Sequence, residues 1–216
     1  LVAPTGGGKS LTYQLPATLL PGTTLVISPL VALMEDQVHA LEQRGIPSTF
    51  LAATLDPDVR RSREVWMRQG RYKLVYVAPE RLQYEGFLEC CARTRIALVA
   101  VDEAHCIAMW RHDFRPDYLR IGALLERLRP PRVLACTATA TPDVRREITE
   151  RLGLAGGPVR EILRGFARPN LHLAAQAVEG HAESRQLVRH ELARVLGEPT
   201  RPRGGGIVYA ATRKGT

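Results

Sequence analysis

Leu1-Val2-Ala3-Pro4-Thr5-Gly6-Gly7-Gly8-Lys9-Ser10 opens the chain, and the rest of the sequence is read outward from it. Three consecutive glycines followed by Lys-Ser match a phosphate-binding loop, with Ala3 where the first glycine usually stands. Glycines let backbone N–H groups turn inward and approach phosphate oxygens with no Cβ in the way. Lys9 offers a point charge to β- and γ-phosphates, and Ser10 a hydroxyl to Mg²⁺. A helix is predicted from Leu11 onward, with its positive end toward the same anion. Thr5, Gly6, Gly7, Gly8, Lys9 and Ser10 are thus candidate ligands of a nucleoside triphosphate. A flexible Gly-rich turn is the plain alternative; Lys-Ser in register and an apolar helix behind it argue against that. Such a loop is normally fed by a full β-strand, and only Leu1 and Val2 of one are present. The chain is therefore expected to be cut from a longer protein.

At 216 residues and 45% apolar, the chain has enough material for a real core. No run approaches the ~20 apolar residues of a membrane span, and no signal peptide is visible. The net charge of +8 fits an acidic partner or simply an Arg-rich surface. Cys90, Cys91, Cys106 and Cys136 make no zinc spacing. They are expected to be reduced, buried and to pack as small hydrophobes.

Short apolar runs alternate with helical patterns. Strands are predicted at 24–28, around 50–51, at 73–78, 96–101 and 132–136. Helical spacing joins Leu30, Leu33, Met34, Val38 and Leu41, with Gly45 as a stop. Asp56-Pro57 and Thr141-Pro142 each read as an N-cap with proline at the first helical position. A further helix runs from Tyr118 to Leu128 and ends before Pro130-Pro131. The pattern predicts an α/β fold with a mostly parallel sheet flanked by helices, and ligands at the carboxyl ends of the strands. Past Gly156-Gly157-Pro158 the rhythm changes. Residues 165–170 read as a linker, 171–178 and 207–210 as strands, and 184–196 as a helix. The expected division is residues 1–164 and residues 165–216, the latter too short to bury its own core.

Asp102-Glu103-Ala104-His105 follows the most hydrophobic strand. A carboxylate at a strand end opposite a phosphate loop suits Mg²⁺, so Asp102 is the candidate metal ligand beside Ser10. Glu103 is placed to activate water. Lys9, Asp102 and Glu103 form the candidate catalytic set. His105 either couples the site to a neighbouring loop or packs. Thr137 to Ala140 lies at the next strand end, where hydroxyls either bridge to a bound strand or cap the following helix. Trp110, His112, Phe114, Arg115, Pro116 and Tyr118 crowd together just after the acidic pair. Aromatics interleaved with arginine suit base stacking and backbone contact on single strands.

Taken in order, residues 3–10, Ser28-Pro29-Leu30, Asp36-Gln37, Ala78-Pro79-Glu80-Arg81-Leu82, Asp102 to His105, Trp110 with His112 to Pro116, and Thr137 to Ala140 resemble the RecQ family of superfamily 2 DNA helicases. Phe166, residues 168–170 and residues 206–209 are similar to its domain junction and the first strand of its second motor domain. The resemblance implies a RecA-like ATP-binding domain over 1–164 and the start of a second over 165–216. It implies ATP and Mg²⁺ as cofactors, with zinc only in parts of the family's chain absent here. It also implies coupling of hydrolysis to 3′-to-5′ unwinding in repair or recombination. Trp110, His112, Phe114 and Arg115 would couple DNA to hydrolysis. Ser28, Pro29, Glu80 and Arg81 would line the DNA path, and Thr137 and Thr139 would link hydrolysis to unwinding. The implied partners are single-stranded DNA, single/double-strand junctions and replication or repair proteins, with no membrane. The implied location is cytoplasmic, with the nucleoid in a bacterium or nuclear in a eukaryote. The family's adenine-reading segment would lie before Leu1 and its arginine finger beyond Thr216, so these residues alone are expected not to unwind DNA. A superfamily 2 RNA helicase, a module that binds without turnover, and a P-loop kinase are the rival readings. The Trp110 loop, the intact Glu103, and the lack of an acceptor pocket or lid argue against them in turn.

Overall fold

The computed structural model describes residues 1–108, 115–165, 171–172, 174–197, 201 and 203–209. Five strands make one parallel sheet: β1 (Thr23–Ile27), β2 (Ser48–Leu51), β3 (Leu74–Val77), β4 (Ile96–Val101) and β5 (Val133–Ala135), in the order β2-β3-β1-β4-β5. Val26 pairs with Tyr76 on one side and Ala100 on the other. The helices are α1 (Leu11–Leu19), α2 (Val31–Glu42), α3 (Pro57–Arg68), α4 (Glu85–Ala92), α5 (Arg120–Leu128), α6 (Pro142–Arg151) and α7 (Gly180–Leu196).

The strands are apolar throughout because both faces of the sheet are covered. Leu25 and Ile27 join Val75, Val77, Val99 and Val101 against Met67, Phe87, Cys91, Ile121 and Ile148 of α3 to α6. Val26, one residue out of phase, packs with Tyr76 and Ala100 against Tyr13, Ala17, Met34 and Val38 of α1 and α2. All four cysteines are buried and unpaired, as expected of small hydrophobes. Local signals set the helix ends. Asp56 Oδ1 accepts from the N–H groups of Asp58 (2.9 Å) and Val59 (3.3 Å). Thr141 Oγ1 accepts from the Val144 N–H (3.4 Å). Gly45 takes φ +71 after α2, a left-handed stop that most side chains disfavour.

Three departures from the sequence reading stand out. The first is α4, too short and too glycine-interrupted to show as a helical pattern. The second is at Tyr118, which sits in a tight 3-10 turn, Pro116–Leu119, ahead of α5. The third concerns the two expected strands after residue 170. The chain divides into two compact units, Leu1–Ala167 and Arg168–Thr216. Among its described residues the second has α7 and no strand, and α7 buries no residue. Ile207 is 80% and Tyr209 89% exposed. An extended segment needs a neighbouring strand for its N–H and C=O groups, and β-propensity by itself does not supply one.

Leu1 and Val2 are placed by the sheet. The Leu1 main-chain nitrogen donates to Ala135 O (2.8 Å) and the Thr137 N–H to Leu1 O (3.1 Å). On the other side the Val2 N–H donates to Ile162 O (2.9 Å) and the Arg164 N–H to Val2 O (2.8 Å). The phosphate-loop sequence thus leaves the sheet directly beside the end of β5.

Candidate functional site

Residues 5–10 turn out of the sheet and into α1. Gly6 and Gly8 have φ +78 and +74. A Cβ on Gly7 would stand 2.9 Å from Pro4 O, against which the loop folds. The N–H groups of Gly6, Gly8, Lys9 and Ser10 donate to no partner among the described residues, while the Gly7 N–H closes the turn onto Pro4 O (2.9 Å). Unspent backbone donors at a helix start are what an anion needs. Lys9 Nζ donates to Ala3 O (3.2 Å) and Pro4 O (3.3 Å), so the ammonium lies over the loop itself. Ser10 precedes α1 without capping it through its side chain. The loop expected from the sequence is therefore formed, with its charge and its amides on one small surface.

The acidic residues face it from the end of β4. The Asp102 N–H donates to Ile27 O (2.8 Å), continuing the ladder between β4 and β1. Glu103 then takes left-handed backbone, φ 46, and breaks the strand. Such a conformation is costly for a residue with a Cβ and collects at functional sites. Asp102 is 7% exposed. Burial, and next the neighbouring Glu103 charge, hold its carboxyl above the usual range, opposed by hydrogen bonds from Cys136 and the Glu103 N–H and by the Lys9 charge. Glu103 goes the other way: its pairing with His105 lowers it despite partial burial, with Lys9 assisting. Two adjacent carboxyls pushed apart in this way suit different tasks, one holding a cation and one taking a proton.

His105 ties the acids to the next strand end. Its Nδ1 is hydrogen-bonded to Thr137 Oγ1 (2.7 Å) and lies 3.2 Å from Glu103 Oε2, an ion pair when the ring is protonated. Contacts with Cys106 and Glu103 raise it to about 9. His105 thus bridges Glu103 and Thr137. The Ala3 N–H donates to Thr137 O (3.2 Å), and the Thr139 N–H to Thr137 Oγ1 (3.3 Å). Thr137 accordingly touches the phosphate loop through its backbone and the acids through its hydroxyl.

The remaining candidates fall into two groups. Trp110, His112 and Phe114 lie outside the described residues. Arg115 is exposed; its Nη1 donates to Pro29 O (2.8 Å), and its N–H to Cys106 O (3.0 Å), which brings the two ends of that segment together. Ser28 is buried, and its Oγ has no partner among the described residues. Arg81, 6% exposed, is spent inside the protein. Its Nη2 donates to Glu64 Oε1 (2.9 Å), and its guanidinium lies 4.6 Å from the centre of the Tyr84 ring. Glu80 and Pro29 are half-buried, and Thr139 is exposed. Arg81 and Tyr84 also line a cleft of about 440 Å³ with Arg60 and Arg61. Residues 60–68 of α3 hold four arginines, Arg60, Arg61, Arg63 and Arg68, a local basic run that sequence reasoning does not single out. Cys136, expected to pack as a small hydrophobe, also donates its thiol to Asp102 Oδ1 (3.4 Å), a contact set by the pairing of β4 with β5.

Residues 1–148 match the model of the DEAD/DEAH box helicase family. This chain belongs to that family. Within it, the sequence is 41% identical over 220 residues to the ATP-dependent DNA helicase RecQ of Bacillus subtilis, covering 99% of this chain and 34% of that protein. It is 42% identical to the probable ATP-dependent DNA helicase RecS of the same organism, over 98% of this chain and 40% of that one. The chain thus spans well under half the length of these relatives. A similar fold is seen in the Hef helicase domain of Pyrococcus furiosus, with a TM-score of 0.57 and 21% identity over 90% of this chain and 42% of that one. RecQ resemblance and RecA-like architecture, both expected from the motifs, are therefore in hand.

The donor set fits Mg²⁺. Ser10 offers a hydroxyl, Asp102 a carboxylate, and a magnesium site needs only one or two protein oxygens beside phosphates and water. No group of three or more metal-ligating side chains occurs among the described residues. No described helix is long and apolar enough to cross a membrane.

Proposed function

We propose that this chain is the ATP-binding motor domain, with the beginning of a second, of an ATP-dependent DNA helicase of the RecQ kind that moves 3′ to 5′ in repair or recombination. The observation that carries this reading is the convergence of free loop amides and Lys9 on Asp102, Glu103 and the His105–Thr137 bridge. The amides of Gly6, Gly8, Lys9 and Ser10, with the Lys9 ammonium, would cradle the triphosphate. Ser10 and Asp102 would hold Mg²⁺, which when bound would offset charge on the phosphate oxygens. Glu103, lowered by its partner, would be ionised and ready to accept a proton from the attacking water. His105 would pass the state of Glu103 to Thr137 and Thr139.

For nucleic acid the support is of three kinds: the names of the relatives, the net charge of +8, and the exposed arginines. Pro29, Glu80, Arg115 and Thr139 would face the strand, with Trp110, His112 and Phe114 stacking and sensing it. Ser28 and Arg81, being buried, would shape this path from beneath. Opening a duplex costs about 1.4 kcal/mol per base-pair step, so a passive clamp gains little on a long duplex. Single strands and single/double-strand junctions would be the DNA substrates, and work on chromosomal DNA implies repair or replication proteins as companions. These residues alone are proposed not to unwind DNA. The second unit has no strand among its described residues, and an arginine from a second lobe is worth roughly 10³–10⁵ in rate in other nucleotidases.

The test compares ATP hydrolysis with no nucleic acid, with single-stranded DNA and with RNA, alongside strand displacement on a duplex with a 3′ single-stranded tail. Stimulation by DNA over RNA, with no displacement, is expected. Stimulation by RNA alone would favour an RNA helicase, and robust displacement would overturn the proposed extent of the motor.

A further inference from the structure

Asp102 is fixed at four points. Its N–H donates to Ile27 O (2.8 Å). Its main-chain carbonyl accepts from the hydroxyl of Tyr118 (2.9 Å), a residue with no exposed surface. Its Oδ1 accepts twice, from the Glu103 N–H (3.0 Å) and from the thiol of Cys136 (3.4 Å). Oδ2 accepts no hydrogen bond among the described residues, and it is not among the fully enclosed polar atoms that lack one.

This asymmetry matters because a carboxylate has two oxygens of equal chemistry and a free torsion between them. Two donors on one oxygen stop that torsion and leave the other oxygen turned outward. The geometry assigns Cys136 and Tyr118 as positioning residues: Cys136, with the Glu103 N–H, occupies Oδ1 and so selects Oδ2 of Asp102 as the oxygen presented to a divalent cation, while Tyr118 holds the backbone from which that carboxylate hangs. The assignment rests on the reading of Asp102 as the metal-bearing acid. Cys136 acts from β5's end and Tyr118 from the turn that follows Arg115. The Tyr118 N–H donates to Arg115 O (2.9 Å), and Arg115 in turn holds Pro29 O. One mount therefore joins Asp102 to both neighbouring strand ends and to the segment proposed to sense DNA.

A buried thiol or phenol also serves packing, so the test must separate position from stability. The 216-residue chain with ADP is titrated with Mn²⁺, followed by electron paramagnetic resonance, for the wild type and for Cys136→Ala, Cys136→Val, Cys136→Ser and Tyr118→Phe. Thermal melting of each is recorded beside it. Removing an outer-shell partner typically weakens metal binding about 10–100-fold, and a thiol is a weak donor. Cys136→Ala and Cys136→Val should therefore both raise the Mn²⁺ dissociation constant about 3–10-fold, although Val fills the space and Ala does not. Cys136→Ser, which keeps a donor, should stay within about twofold of wild type. Tyr118→Phe should raise the constant about 3–10-fold as well. Loss of melting temperature with Mn²⁺ affinity unchanged in Val and Phe would overturn the assignment and leave the two residues as packing alone. Failure of the wild type to bind Mn²⁺ with ADP would overturn it together with the nucleotide-site reading.

Discussion

Replacing Glu103 by Gln keeps the side chain's shape and removes its charge. In the wild type, Glu103 Oε2 stands 3.2 Å from His105 Nδ1, with the side chains 28% and 13% exposed, so solvent screens the pair only in part. Cys106 and Glu103 raise His105 from an ordinary 6.5 to about 9. At about 1.4 kcal/mol per pH unit, that rise corresponds to about 3 kcal/mol favouring the imidazolium. If the carboxylate carries even half of it, His105 in the variant should titrate at least about one pH unit lower. Because His105 is raised, its share of stability is complete below 6.5 and is lost as pH climbs through about 9. Because Glu103 is lowered from 4.5, its share is complete above 4.5 and is lost as pH falls through its depressed value. The stability gap between wild type and variant should therefore be largest between these ordinary values, and it should close toward about pH 10. Proton NMR titration of the His105 ring reads the first quantity, and urea unfolding at about pH 6 and about pH 10 the second. Nucleotide binding should persist in the variant, while hydrolysis should fall about 10²–10⁴-fold for want of a base. An unchanged His105 titration would refute the pairing argument, and hydrolysis near the wild-type rate would place the base elsewhere.

Three further outcomes follow from single contacts. Arg81→Ala leaves Glu64 without its buried partner and should cost about 3 kcal/mol, or about 6–12 °C in melting temperature; a loss under about 2 °C would mean the pair is idle. Gly7→Ala sets a Cβ against Pro4 O at 2.9 Å, which should distort the loop by about 1–3 kcal/mol and weaken a fluorescent ATP analogue about tenfold; unaltered binding would show that the loop opens away from Pro4. Trp110→Ala should cost DNA affinity about 1–3 kcal/mol in an anisotropy titration and depress DNA-stimulated hydrolysis much further; equal losses would make that residue a grip and not a sensor.

Much was legible in the chain order. Continuous apolar runs such as residues 96–101 identify strands covered on both faces, since a one-sided strand would alternate. Asp56-Pro57 and Thr141-Pro142 announce helix starts because the cap and the proline act within one turn. The phosphate loop is readable for the same reason: its donors, its glycines and Lys9 are all local. Families of motifs in fixed order then located Asp102 and Glu103 at a strand end. By contrast, α4 has too little sequence to show a period, and the stretches 171–178 and 207–210 have strand-like residues but no described partner strand.

What only the tertiary structure decided are the contacts that join distant positions. Arg81 is placed on the DNA path by the resemblance, and only the fold sets Glu64, seventeen residues earlier on α3, against it. Cys136 reads as packing until the parallel register of β4 and β5 sets its thiol on Asp102. Chain order does not pair His105 with Thr137, thirty-two residues on, whose hydroxyl meets its ring only in the fold. Side-chain type states what a group can bond to, and local pattern states which way its backbone runs. Which partner it meets depends on sheet order and register, and those are set by the burial of the whole set of strands at once.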